Sequence, residues 1–199
     1  EVIIIKNLSY ATAPAVYHSG SFVDASDPGI LYLSGYAARA SDTNVLGTSG
    51  AVTSSTFTVG DWRGSNYASE LFVAYCFAPS QFISIGSYTG NENTNGPFVP
   101  TVGTTVPIKP HWLIVKNTLQ SRSWLIWDNK RDTYNVANNI LESDQATGNQ
   151  TGTNFYVDLN SGGFKIRGSH EMSNGAEKLI YMAIGTPVID TDGRIIAGQ

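Results

Sequence analysis

The chain is patterned in short apolar bursts. EVIIIKN (1–7), ILYL (30–33), STFTVG (55–60), ELFVAYCFA (70–78), HWLIVKN (111–117), SWLIWD (123–128), NFYVDL (154–159), GFKIR (163–167) and KLIYMAIG (178–185) are all rich in β-branched or aromatic residues. Clusters of Gly, Asn, Ser, Asp or Pro separate most of them, so the pattern predicts an all-β chain whose strands are broken by turns. No window carries an amphipathic helix capped at both ends; the weak helical candidate spans 135–142. In SWLIWD both faces are apolar, because Trp124 and Ile126 point one way in a strand while Leu125 and Trp127 point the other. That favours a central strand of a large sandwich, or an assembly interface through Trp127 with Asp128 and Arg131 closing its polar rim.

The bursts recur in order. Residues 1–7 line up with 111–117, each four apolar residues followed by Lys-Asn. At the same spacing Val16-Tyr17-His18 falls on Ile126-Trp127-Asp128. Further on, Ser65-Asn66 matches Ser173-Asn174, and 70–78 falls on 177–185. This predicts a β-sandwich built from two degenerate repeats, about 1–98 and 111–185, whose strands merge into a single module over 1–185, with 186–199 as an extension. Tandem separate sandwiches are the alternative, and against them stands the meagre core that five or six strands can enclose. Between the halves lies GSYTGNENTNGPFVP (86–100), read as an ordered connector. Tyr88 and Phe98 are expected to pin its ends, and Gly90 to Gly96 to form the exposed turn.

Composition narrows the partners. Lys and Arg number 12 against 16 Asp and Glu, a net charge of −4, with no basic cluster beyond Lys130-Arg131. A nucleic-acid or anionic-membrane footprint is therefore not expected. No apolar run approaches the roughly 18 residues of a membrane-spanning helix, so membrane insertion is not expected either. The lone Cys76 sits in LFVAYCFA and reads as a packed core thiol. The chain opens without Met on a strand-like segment, which suggests that it was cut from a longer precursor.

The strings FVAYCFA, GSYTGN, NGPFV, KPHWLIVKN, SWLIWDNKRDTYNV, GGFKIR and LIYMA together resemble a domain of structural proteins of tailed bacteriophages. There, a GSYTGNG…DGPFV segment leads to a strand ending in Ile-Lys-Arg, then to a Trp-x-Ile-x-Asp-x-Lys-Arg segment. A Gly-Phe-Lys-Leu-Arg strand and a closing Tyr-Ile-Tyr-Met-Ala-Phe strand follow. The resemblance spans roughly residues 1–185 and is strongest over 73–185. It implies a jelly-roll or concanavalin-like sandwich at the virion surface, in a tail fibre, tail spike, capsid decoration or head appendage. The implied partners are other virion proteins and other copies of the chain, a trimer among the arrangements. It implies no enzyme activity, cofactor or metal. The end departs from the family, running GTPVIDTDGRIIAGQ (185–199); its GRIIAGQ would suit strand exchange with a neighbour.

Candidate chemistry is sparse. A glycosidase needs two carboxyls about 5 to 9 Å apart, one with a raised pKa. Asp128, Asp132, Glu142, Asp158 and Glu177 are the candidates, but none sits in a motif that predicts such a pair, and Asp128 reads as a salt-bridged hairpin end. The three His lie in unrelated contexts, so no Ser/His/Asp arrangement is expected. Asp190-Thr-Asp-Gly193 resembles the opening of a Ca²⁺ loop but lacks the rest, and a tight hairpin turn between PVI and RII is the reading preferred for it, so no metal is expected. Glycan recognition needs an aromatic platform beside amide or carboxylate side chains. The loop residues that fit are Trp62, Tyr88 with Asn91, Asn93 and Asn95, and Tyr134 with Asn135, Asn138 and Asn139.

Overall fold

The computed structural model describes residues 1–24, 27–46, 52–151, 154–189 and 192–193. The chain divides into two compact units, Glu1–Phe77 and Ala78–Gln199. Among the described residues strand pairing is antiparallel throughout, and two single-turn helices are the exceptions to an all-β pattern.

The first unit is a four-stranded sheet of β1 (Val2–Asn7), β2 (Ala15–His18), β3 (Leu31–Tyr32) and β4 (Phe72–Phe77), in the order β3-β2-β1-β4. One face packs Ile3, Ile5, Ala15 and Tyr17 against Ile30 and against Val45 and Leu46 of α1 (Thr43–Leu46). Each fully buried Ile or Leu here contributes about 1.5–3 kcal/mol. The Lys-Asn ending of β1 has a local task. The Asn7 side-chain oxygen accepts from the amides of Ser9 and Tyr10 at 2.8 and 2.9 Å and so turns the chain out of the strand. Its amide donates to the Arg63 carbonyl at 2.8 Å and to the Glu70 carboxylate.

The second unit is a sandwich. Its large sheet comprises β5 (Ile83–Thr89), β7 (Ile108–Asn117), β8 (Leu125–Asp128), β9 (Asn139–Glu142), β10 (Gln150–Thr151) and β13 (Lys178–Pro187), in the order β10-β9-β8-β7-β13-β5. Its small sheet, β11-β12-β6, is made of β6 (Phe98–Pro100), β11 (Val157–Asn160) and β12 (Gly163–Ile166). Leu113, Val115, Leu125 and Trp127 from the large sheet meet Val99, Val157, Phe164 and Ile166 from the small one in a continuous core. Burying the Trp127 ring leaves its indole N–H in need of a partner, which the Phe155 carbonyl supplies at 2.9 Å. Before β13 comes the helical turn α2 (Glu171–Asn174), with His170 at its N-cap.

The two units share a pairing scheme. β1 faces β2 through Val2↔His18 and Ile3↔Tyr17, and β7 faces β8 through Trp112↔Asp128 and Leu113↔Trp127. β4 lies on β1 through Ile3↔Cys76 and Asn7↔Phe72, and β13 lies on β7 through Leu113↔Ala183 and Asn117↔Leu179. Asn117 repeats the turn of Asn7, accepting from Leu119 and Gln120 at 3.0 and 3.1 Å and donating to the Glu171 carbonyl and to Glu177.

Several sequence expectations are revised. Residues 86–100 do not lie between units: they supply the end of β5, a loop and β6, all within the second unit. Val99, not Phe98, points into the core, because alternation along β6 sends its neighbours outward. Residues 135–142 end in strand β9 rather than a helix. Residues 55–60 form only a lone bridge, Val52↔Phe57. Cys76 is exposed rather than packed, since β4 is the last strand of its sheet. Asp190 and residues 194–199 of the tail lie outside the described residues.

Candidate functional site

At one end of the second unit, β6 leaves the small sheet, β7 enters the large one, β8 ends, and β11 turns into β12. The turns there leave a groove of about 770 Å³ whose lining includes Phe98, Pro100, Lys109, Asn135 and Asn160. A smaller recess of about 230 Å³ continues it past Asn129 and Asp132 to Tyr134. Lys109, Asn135 and Leu159 border both.

Each residue is positioned for a local reason. Alternation along β7 buries Ile108 and turns Lys109 outward, where its ammonium has no hydrogen-bond partner among the described residues. The Asn135 side chain behaves like an added strand: its oxygen accepts from the Leu159 amide at 2.9 Å, and its amide donates to the Leu159 carbonyl and to Asn160 at 3.3 and 3.2 Å. Gly162 turns β11 into β12 with a φ of +81°, a conformation that favours glycine. Phe98 is 48% exposed and Tyr134 85% exposed, so two aromatic rings border a trough of mixed lining, where Val102, Pro107 and Leu159 lie beside Lys109 and the Asn135 and Asn160 amides.

Asp128, Asp132, Asp158 and Glu177, singled out by sequence, are committed to structure, Asp132 at this end and Glu177 at the far end of β7. Asp132 accepts from the Asn138 and Asn139 amides at 3.0 and 2.8 Å and from the Asn139 side chain at 2.6 Å. Asp128 caps the turn after β8, accepting from the amides of Lys130 and Arg131 at 2.9 Å and pairing with the Arg131 guanidinium at 2.6 Å. Burial pushes its carboxyl up, but those hydrogen bonds and the guanidinium charge outweigh burial and hold it below the usual range. Asp158 pairs with Arg167 at 2.6 Å. Glu177 is held low by hydrogen bonds from Gln120 and then Asn117.

The other residues singled out by sequence fall elsewhere. Tyr88 packs edge-on against Phe164 with ring centroids 5.6 Å apart and donates to the Ser173 carbonyl at 2.7 Å. Asn91, Asn93 and Asn95 knit the loop after β5: Asn91 bonds the Asn93 amide and the Asn95 carbonyl, and Asn93 bonds the Asn95 amide. Trp62 packs on Tyr32 in the first unit's core, 5.8 Å between centroids. Trp127 is fully buried and presents nothing to a neighbour. Of the proposed ligand residues, the groove contains Tyr134 and the Asn135 beside it. Phe98 and Lys109 were missed because their outward direction depends on strand register.

Fold and groove together define an all-β protein of two units, one a sandwich with an aromatic-bordered trough at its end. Residues 1–186 match the family described as "Domain of unknown function (DUF7483)", and the chain belongs to that family. No curated protein and no solved structure matches it.

Proposed function

We propose that the chain is a non-enzymatic structural and adhesion module of a bacteriophage virion, displayed in several copies and holding host-surface glycan in the groove beside Lys109. The observation that carries the glycan reading is the pair of exposed rings, Phe98 and Tyr134, flanking the amides of Asn135 and Asn160 and Lys109, whose ammonium has no partner among the described residues. The sugar's apolar C–H face stacks on a ring while its hydroxyls exchange hydrogen bonds with amides. Lys109 adds a preference for sugars bearing a carboxylate. Several copies multiply a weak single-site affinity through effective concentration.

Among the described residues the one acid that borders the recess, Asp132, is spent on the Asn138 and Asn139 amides and the Asn139 side chain, which supports a binding role over cleavage. The virion assignment rests on the phage-like strings of the sequence. A glycan array probed with the native chain tests the binding. Tyr134→Ala and Phe98→Ala should each weaken a hit about tenfold, or ~1.4 kcal/mol, and Lys109→Ala should weaken acidic sugars selectively. A blank array, or a hit indifferent to all three changes, defeats the groove. Appearance of new reducing ends on incubation with host polysaccharide would defeat the non-enzymatic assignment.

A further inference from the structure

The small sheet of the second unit has an outer face as well as a core face. Val99, Val157, Leu159, Phe164 and Ile166 point into the core, so alternation sends the residues between them outward. Register sets Asp158, Lys165 and Phe98 side by side across that face. One step further along, Arg167 lies beside Tyr156, donating its amide to the Tyr156 carbonyl at 2.7 Å. On the other side of β11 the bridge Ala137↔Val157 brings Val136 and Asn138 alongside.

Val136, Asn138, Tyr156 and Arg167 border an open recess of about 470 Å³ that shares no lining residue with the groove beside Lys109. Its cation is held in place from behind. The Arg167 Nε donates to Asp158 Oδ2 at 2.6 Å, and the Asp158 side chain is only 9% exposed against 47% for Arg167. Asp158 thus fixes the guanidinium by its inner edge without closing its outer one. Both Nη groups are without a hydrogen-bond partner among the described residues. A carboxylate fits such a fork with two parallel hydrogen bonds. Around it, the Tyr156 ring and the exposed Val136 supply apolar surface. The Tyr156 hydroxyl and the Asn138 side-chain amide likewise have no partner among the described residues. Lys165, next to Asp158 across the sheet, offsets the charge of that carboxylate, so the face as a whole favours an anion.

We propose that this recess is a second binding site, for a sugar that bears a carboxylate. The carboxylate takes the open Nη fork of Arg167. The apolar C–H face of the ring lies against Tyr156 and Val136, and the hydroxyls exchange hydrogen bonds with the Tyr156 hydroxyl and the Asn138 amide. A phosphate or a bare carboxylate would use the fork but not the apolar wall, which is what selects a sugar acid. The site is complete in its own residues and does not depend on the groove beside Lys109 holding glycan.

The test titrates the isotope-labelled full chain with glucuronate, and in separate arms with glucose and with acetate, following backbone amide and arginine Nε–H signals by NMR. Glucuronate should shift the Arg167 and Tyr156 signals, glucose should leave them in place, and acetate should act about tenfold more weakly for want of a ring to stack. Arg167→Lys keeps a charge for Asp158 but loses the fork, and should weaken glucuronate about tenfold. Tyr156→Phe and Asn138→Ala remove groups that bond nothing else among the described residues, and each should weaken it about threefold with the fold intact. No shift at Arg167 with glucuronate at tens of millimolar, an equal response to acetate, or full binding by Arg167→Lys would each overturn the proposal. Shifts confined to Lys109 and Asn160 would overturn it too while leaving the groove standing. Shifts at Arg167 with none at Lys109 and Asn160 would support it and defeat the groove.

Discussion

Asn174 and Asn66 hold matching turns, their backbone amides donating to the His170 and Trp62 carbonyls, yet their side chains do different amounts of work. Asn174 is fully buried and bonds Asn91, the Asn93 carbonyl and the Gly168 carbonyl. Replacing it with Ala strands those groups, so Asn174→Ala should cost about 2–3 kcal/mol in urea unfolding. Asn66→Ala should stay within about 0.5 kcal/mol, as for an exposed residue whose side chain has no partner among the described residues. A pH effect belongs to the same scale. Burial lowers the Lys116 ammonium from 10.5 to about 8, against the opposing pull of Asp144. Between those two values the unfolded chain keeps a proton that the folded chain has released, so stability rises with pH across that window. Tyr17, buried, and Tyr32, half-buried, act the other way once the pH nears their ordinary value of 10.0, because desolvation raises them and the unfolded phenols ionise first. Denaturant unfolding at about pH 7.5 and about pH 9.5 should show a gain in the native chain that Lys116→Met lacks.

At the scale of the element, β8 carries the core and the loops carry the site. Trp127→Ala removes a ring packed between two sheets and orphans the Phe155 carbonyl, so it should cost about 3–5 kcal/mol, read from the urea midpoint; an effect under ~1 kcal/mol would mean that the ring is not a core element. The strands centred on β-branched runs, β1, β7, β8 and β13, were legible because apolar bursts bounded by turn residues have few other uses. β5 was not. Its inward positions are Ser84, Gly86 and Tyr88, and Gly86 is small because Tyr181 crowds it. The result looks like a turn-rich connector. Phe98 was assigned inward for want of register, since a one-residue slip inverts every side chain of a strand. The groove was harder still. Phe98, Lys109, Tyr134 and Asn160 come from four separate stretches, each an ordinary strand end or turn, and only the pairing of β6, β12 and β11 and the packing of that sheet on the one holding β7 bring those ends together. Tyr134 alone stood out in sequence, as an aromatic residue beside Asn in a charged loop.

For the molecule as a whole the scarce charge matters more than any single pair. With 12 basic and 16 acidic side chains the net charge is −4, and it vanishes near pH 5.2. Mutual repulsion between molecules fades there, and what remains to decide association is short-range contact. The uncharged β4 edge is the exposed feature most suited to it. Sedimentation velocity at about pH 7.5 and at the neutral point should therefore show weight-average mass rising toward the latter. Tyr75, 54% exposed on β4, and Tyr36, 63% exposed off the sheet, allow the cause to be separated. Tyr75→Lys places a charge on the edge and should suppress the rise, with both proteins compared at their own neutral points. Tyr36→Lys changes net charge by the same amount and should leave the rise in place. Equal suppression by both would assign the association to overall charge and remove β4 from the account.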